Sequence, residues 1–355
     1  HAEHLETYTL FVGQRQAGKS SLITAFHNPT KDDTPKPTVA LEYLFARRSA
    51  APNQPKDVAH IWELGGGSKL RNLVSVPITP QNITSNVVAI IVDLSQPANL
   101  IPDLCEWIDI IRARVDECVA TLKQTNPEAA SALEESASLR IPADHADARV
   151  VRPMTIPLLI IANKYDIYKD MESVQKKTIS QALRFVAHSN GATLLTVGAR
   201  DKASQNNLRM QLTQLLFRTS SSKKVELTNH DKPMAVPAGV DSFDNILKIP
   251  PKGTDVADFV GPRSVNSDAN VTWARVMEDM FGPKRSLDDA EGEEKKEDEV
   301  FLEPAVDDMR SQRDAALVQY KKEAERKLQL EISGKKSSSR SKSKSSSKSS
   351  SSSRK

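Results

Sequence analysis

The eight residues Gly13-Gln-Arg-Gln-Ala-Gly18-Lys19-Ser20 fit the pattern G-x-x-x-x-G-K-[ST]. A β-rich run, Tyr8–Val12, comes just before them, and a helical stretch reaching about Phe26 follows. A loop in that context is built to hold phosphates. Its backbone N–H groups and the helix N-terminus form a nest for anions. Gly13 and Gly18 allow the close approach, Lys19 reaches the β- and γ-phosphates, and the Ser20 hydroxyl ligates Mg²⁺. Ser21, next along the helix, completes the predicted phosphate-side set.

Three further strings lie at matching intervals. Pro37-Thr38 precedes the second strand, Trp62-Glu63-Leu64-Gly65-Gly66-Gly67 ends the third, and Asn163-Lys164-Tyr165-Asp166 follows a buried strand. Their order resembles that of Ras-like domains. On that resemblance Thr38 would join Ser20 around Mg²⁺; equally, it is a threonine starting a strand behind a rigid proline. The third string departs from the usual Asp-x-x-Gly-Gln. Glu63 stands at the aspartate position, where its extra methylene crowds the metal shell, and Gly67 stands where a glutamine would orient water. Water placement and an arginine finger supply most of the rate in this class, so efficient hydrolysis is not expected. Asn163, Lys164 and Asp166 match N-K-x-D, in which the carboxylate accepts from guanine N1–H and N2–H₂ while the asparagine braces the loop. The other reading is a helix-start loop capped by Asp166. Thr196-Val197-Gly198-Ala199 is a weaker candidate for a base-contacting turn. The implied ligand is GDP or GTP with Mg²⁺.

The elements that must position these residues alternate. Strands are predicted at Tyr8–Val12, Val39–Ala46, Asp57–Leu64, Asn86–Leu94, Pro157–Asn163 and Thr193–Val197. Helices are predicted at Leu100–Gln124, continuing in pieces to Leu139, at Asp170–His188 and at Ser204–Phe217. Uninterrupted apolar central runs separated by helices imply a doubly wound, mostly parallel α/β sheet covered on both faces. Its active edge lies at the strand C-termini. This Ras-like P-loop domain is expected to occupy residues 1–217.

Beyond Phe217 the texture changes. Residues 218–286 read as an extended arm carrying one short helix, Trp273–Phe281, and 287–302 as an acidic, solvated linker. Residues 303–332 read as an amphipathic helix with Val306, Met309, Leu317, Tyr320, Ala324 and Leu328 on one stripe. Residues 333–355 are a Ser/Lys/Arg tail of low complexity, expected to be disordered. The tail's eight Lys or Arg from 334 onward outweigh the chain's net charge of +3, leaving −5 for the rest. The basic balance therefore belongs to the tail, and no direct nucleic-acid role is expected. The two cysteines, Cys105 and Cys118, fall on one predicted helix about 20 Å apart and cannot pair. With scattered histidines, no zinc spacing and no apolar run of membrane length, an intracellular chain without membrane insertion is expected.

Longer strings narrow the family. Pro35–Tyr43, Lys56–Gly67, Leu183-Arg-Phe-Val-Ala-His188 and Ala238-Gly-Val-Asp-Ser-Phe243 are similar to the dynein light intermediate chain family. The last two strings and the short C-terminal part resemble its form in the dynein of retrograde intraflagellar transport. The resemblance implies a non-catalytic subunit packed on the dynein heavy chain, in the cytoplasm, on the cytoskeleton and in the cilium or flagellum. The alternative is a slow guanine-nucleotide switch in ciliary trafficking, favoured by Lys19, Ser20 and Asp166 and opposed by the missing glutamine. Heavy-chain contact is expected through apolar residues of the arm and helix: Phe243, Ile246, Trp273, Phe281, Leu317 and Tyr320. Trp273 and Phe281 could equally fold back onto their own domain.

Overall fold

In the computed structural model the described residues are 5–27, 35–49, 56–219, 226–261, 265–266, 268–283, 309 and 311–326. In chain order the first half forms β1 Glu6–Gly13, α1 Lys19–His27, β2 Leu41–Ser49, β3 Lys56–Leu64, β4 Asn86–Asp93, α2 Leu100–Thr125 and α3 Pro127–Ser138. The second half forms β5 Leu158–Asn163, α4 Tyr165–Tyr168, α5 Ser173–Ser189, β6 Thr193–Val197, α6 Lys202–Phe217, β7 Ala235–Val236, α7 Phe243–Ile246 and α8 Ala269–Phe281. The seven strands run in the order β2-β3-β1-β4-β5-β6-β7. The five central strands are parallel, while β2 and β7 pair antiparallel at the two edges.

Strand alternation divides the core into two layers. Leu10, Val12, Val88, Ile90, Val92, Leu158 and Ile160 face α2, α3, α5 and α8, whereas Phe11, Ala89, Ile91, Leu159 and Ile161 face α1 and α6. Strands buried on both faces carry no polar alternation, which is why β4 and β5 read as continuous apolar runs. The long helix breaks where Asn126 turns the chain: its side chain accepts from the Ala129 N–H, and Pro127 opens α3. Both cysteines lie on α2 and are free.

Past residue 217 the structure departs from an extended arm. Residues 1–284 form one compact unit. Strand β7 adds to the sheet beside β6, and the following segment wraps α5. Arg184 on α5 makes two 2.6 Å hydrogen bonds to the buried Asp241 carboxylate, and Gln181 donates to the Ile246 and Ile249 carbonyls. Phe185 meets Phe243, Phe259 and Trp273 at ring-centroid distances of 5.0, 5.8 and 5.8 Å. Asp147 closes the wrap, its Oδ2 accepting from the Phe243 N–H and lying 2.9 Å from His188 Nε2. Phe243, Ile246 and Trp273 are therefore core residues, not a free surface. Phe281 is half-buried and packs on the same core. An isolated arm could not keep these large apolar groups in water when an uncovered face of α5 lay beside them.

The helical residues 309 and 311–326 belong to the second unit, 285–355, and their side chains are exposed. Met309, Leu317 and Tyr320 are among them. Val306 and Leu328 of the predicted stripe, the acidic linker and the basic tail lie outside the described residues.

Trp273 is wholly buried. Trp273→Ala is expected to destabilise the 1–284 unit by about 3–5 kcal/mol, the usual cost of emptying such a site. Urea unfolding followed by circular dichroism would measure it. A loss below about 1 kcal/mol would mean that this helix is not part of the core.

Candidate nucleotide site

The phosphate loop leaves β1 where the sheet is most crowded. Gly13 has φ +147°, and a Cβ there would lie 2.2 Å from the Ile91 carbonyl oxygen of β4. Gly18, with φ +91°, faces Asn163, whose Nδ2 would lie 2.2 Å from a Cβ. Asn163 is buried and donates to the Ala17 carbonyl at 2.9 Å, so the end of β5 braces the loop directly. Lys19, at the start of α1, is buried and donates to the Gly13 and Gln14 carbonyls at 3.0 and 2.9 Å. Burial lowers its pKa to about 8, against the pull of Glu63. Ser21 is exposed on the outer side of α1.

Glu63 ends β3 beneath this loop, and its carboxylate is buried. Ser20 Oγ donates to Glu63 Oε1 at 2.7 Å, and the Thr38 side chain lies near the same carboxylate. Thr38 also donates to Glu42 Oε2 at 3.0 Å. The 35–40 segment is drawn onto the end of β3: the Gly65 N–H donates to the Ala40 carbonyl at 2.7 Å. A Cβ at Gly65 would sit 2.2 Å from the Thr38 carbonyl oxygen. Desolvation holds the Glu63 carboxyl above its ordinary range despite Ser20, Lys19 and Thr38, which all favour the charged form.

The fold implies Mg²⁺ held by Ser20 and Thr38, and the Ser20 hydroxyl fits that role: donating its proton to Glu63 leaves its oxygen lone pairs for the ion. Mg²⁺ demands near-octahedral oxygens at about 2.0–2.1 Å. Thr38 Oγ1 gives its proton to Glu42, and Glu63, beside Ser20, offers a further oxygen. Gly67 is unsuited to a longer side chain. Its φ is +64°, and a Cβ would lie 2.8 Å from Gln14 Oε1.

On the base side, Lys164 adopts a left-handed backbone conformation and its Nζ reaches Asp93 Oδ2 at 2.5 Å. Asp166 Oδ1 accepts from the Ala199 N–H at 3.1 Å, tying N-K-x-D to the 196–199 turn. It does not cap α4, whose N-cap position is Lys164 without a side-chain cap bond. The structure thus brings Gly13, Gly18, Lys19, Ser20, Thr38, Glu63, Asn163, Lys164 and Asp166 to the C-terminal edge of the sheet.

Comparison with known proteins agrees with this geometry. A family model described as "Roc: Ras of Complex, Roc, domain of DAPkinase" matches residues 9–126. The chain is 35% identical over 321 residues to the Homo sapiens protein named cytoplasmic dynein 2 light intermediate chain 1, covering 90% of this chain and 89% of that one. The Danio rerio protein of the same name is 35% identical over 317 residues, covering 88% and 85%. This chain belongs to the cytoplasmic dynein 2 light intermediate chain family. A solved structure, the crystal structure of the dynein light intermediate chain's conserved domain, shares the fold with a TM-score of 0.56 at 18% identity. It covers 77% of this chain and 98% of that one.

For a light intermediate chain, two features were not visible in the residue pattern. His145, Asp147 and His188 converge although the histidines are scattered in sequence; their ligand atoms lie within 4.8 Å of one another. Asp147 there already joins α5 to the segment entering α7. Tyr43 and Phe45 are exposed on the edge strand β2. Among the described residues, no helix is long and apolar enough to cross a membrane.

Glu63→Gln tests the electrostatics of the site. A carboxyl with a raised folded-state pKa gives its full stability below the unfolded pKa, near 4.3, and loses it as pH rises through the folded value. Glutamine keeps an acceptor for Ser20 without the buried charge. The variant is expected to melt higher than the parent near pH 7.5, the gap shrinking towards pH 4. A parent that melts higher at pH 7.5 would show that the ionised carboxylate is net stabilising.

Proposed function

We propose that this chain is a non-catalytic subunit of the ciliary cytoplasmic dynein motor. It binds and stabilises the heavy chain for retrograde intraflagellar transport and cilium assembly, in the cytoplasm and along the ciliary microtubules. The observation that carries the reading is identity at 35% sustained over about 90% of the chain with proteins named as light intermediate chains of that dynein. A guanine nucleotide, GDP or GTP, is held for structure through Gly13, Gly18, Lys19, Ser20, Asn163, Lys164 and Asp166. The bound nucleotide is not turned over efficiently, because Gly67 offers no side chain to place water.

The heavy-chain surface cannot include Phe243 or Trp273, which their own domain encloses. Leu317 and Tyr320 are exposed and three residues apart, so they share one face of the helix over 311–326. Anchors of this kind typically cost about 2 kcal/mol or more when removed from an interface.

Leu317→Asp with Tyr320→Asp is expected to reduce heavy-chain co-purification several-fold and leave the melting of the 1–284 unit unchanged. Normal melting with full co-purification would remove this helix from the interface. For the nucleotide, single-turnover measurements should find GTP hydrolysis well below about one per minute, and Lys19→Ala should lower nucleotide occupancy. Faster turnover would favour a switch over a structural ligand.

A further inference from the structure

We infer that the sheet edge opposite the nucleotide site carries a second binding site, a groove for an acidic segment of a partner protein. In an open α/β sheet the fold's own ligand site lies at the strand C-termini. Here a half-open cavity of about 940 Å³ lies at the strand starts, bordered by Thr7, Asn86, Leu158 and Thr193. The nucleotide motifs do not account for it.

Its walls come from opposite faces of the sheet. On one side α3 presents Ala129, Ala132 and Ser136, small side chains three and four residues apart, so another backbone can come close. On the other stand Gln214 and Leu215 of α6. Each wall ends in an arginine. Arg140 follows α3, and its guanidinium donates to the Ile156 and Thr155 carbonyls at 2.8 and 3.0 Å and to the Met154 carbonyl. These neutral partners fix the cation in place without cancelling its charge. Burial lowers its pKa only to about 10, so it stays protonated at neutral pH. Arg218 follows α6 in a left-handed backbone conformation and donates to the Thr84 carbonyl at 3.4 Å. Among the described residues neither arginine forms an ion pair, and no Asp or Glu lines the cavity.

Charge decides the occupant. Two cations without a counterion match a carboxylate, whose hydrogen bonds to arginine are among the stronger ones. Between the arginines, Val87, Leu133, Leu158 and Leu215 offer apolar cover for an aliphatic side chain beside the acid. A small-molecule site encloses most of its ligand, whereas this groove stays open along the helices. A peptide that pairs an acidic with an aliphatic residue fits both its charge and its shape.

Random peptides about twelve residues long, displayed on phage and selected on purified full-length protein, test this. Selected peptides should place Asp or Glu beside an aliphatic residue. In fluorescence anisotropy they should lose at least about tenfold in affinity when the acid is replaced by its amide. Arg218→Glu reverses the exposed cation, and Ala132→Trp fills the groove from an exposed position on α3. Each variant should weaken the same peptides by about tenfold or more, with melting unchanged. A selection without acidic enrichment, or one that returns no binder, would overturn the inference. So would peptides whose binding neither variant alters. A dimer in light scattering, or sedimentation with phosphatidylserine vesicles, that both variants abolish while no peptide binds would overturn it in favour of a second copy or a lipid headgroup.

Discussion

A Cβ at residue 13 would stand 2.2 Å from the Ile91 carbonyl oxygen, so the chain can leave β1 beside β4 only as glycine. This close approach sets the phosphate loop into the C-terminal edge of the sheet instead of above it. Once there, the loop is near enough for Asn163, at the end of β5, to hold the Ala17 carbonyl. It is also near enough for Glu63, at the end of β3, to take the Ser20 hydroxyl. Three parallel strands thus end on one loop. Their register, with Leu10 opposite both Trp62 and Val88, brings those ends level.

Placing a lysine and a glutamate in that confined volume has an electrostatic consequence. Burial pushes Lys19 down and Glu63 up, each towards its neutral form, and the attraction between them only partly opposes the shift. Removing two charges from water commonly costs more than their mutual attraction returns. Hydrogen bonds from Ser20 to Glu63, and from Lys19 to two carbonyls, partly compensate. The site is thereby organised by its own groups.

Much of this was legible from residue order. The alternation of apolar runs with helical stretches located β1, β3, β4, β5 and β6, because strands buried on both faces cannot tolerate polar interruptions. The phosphate loop and N-K-x-D were readable because backbone conformation and base chemistry restrict residue types at fixed spacing. The direct Ser20–Glu63 bond was not readable. The sequence showed a longer carboxylate at position 63, but only the register of β3 against β1 showed that it reaches the hydroxyl. The segment after Phe217 reads as an arm for a different physical reason. Its contacts to α5 are long-range: Arg184 pairs with Asp241, and Phe185 with Phe243 and Trp273. The short helix ending at Phe281 was readable, but no local period announces the two-residue β7 or the four-residue α7, nor that their apolar residues answer a face formed some sixty residues earlier.

The enclosure of that segment narrows where a large partner can attach. With Phe243, Ile246 and Trp273 enclosed, prominent exposed apolar side chains among the described residues include those of the 311–326 helix and of β2. The two places differ in kind. The helix presents Leu317 and Tyr320 as separate anchors, suited to a groove on another chain. Strand β2 ends the sheet order and offers a nine-residue edge, with Tyr43 set against His60 and Trp62 on its β3 neighbour. Such an edge invites indiscriminate pairing unless charged side chains guard it. Arg47 and Arg48 sit on β2, and the Arg47 guanidinium lies over the Phe45 ring at 4.8 Å from its centroid. A partner would have to displace or match that cation before reaching the aromatics. The helix carries Leu317 and Tyr320 on an uncharged stretch, 315–320, between Arg313-Asp314 and Lys321-Lys322-Glu323, without an edge of unpaired backbone to protect. The edge is therefore guarded by charge, whereas the helix presents an uncharged apolar stretch.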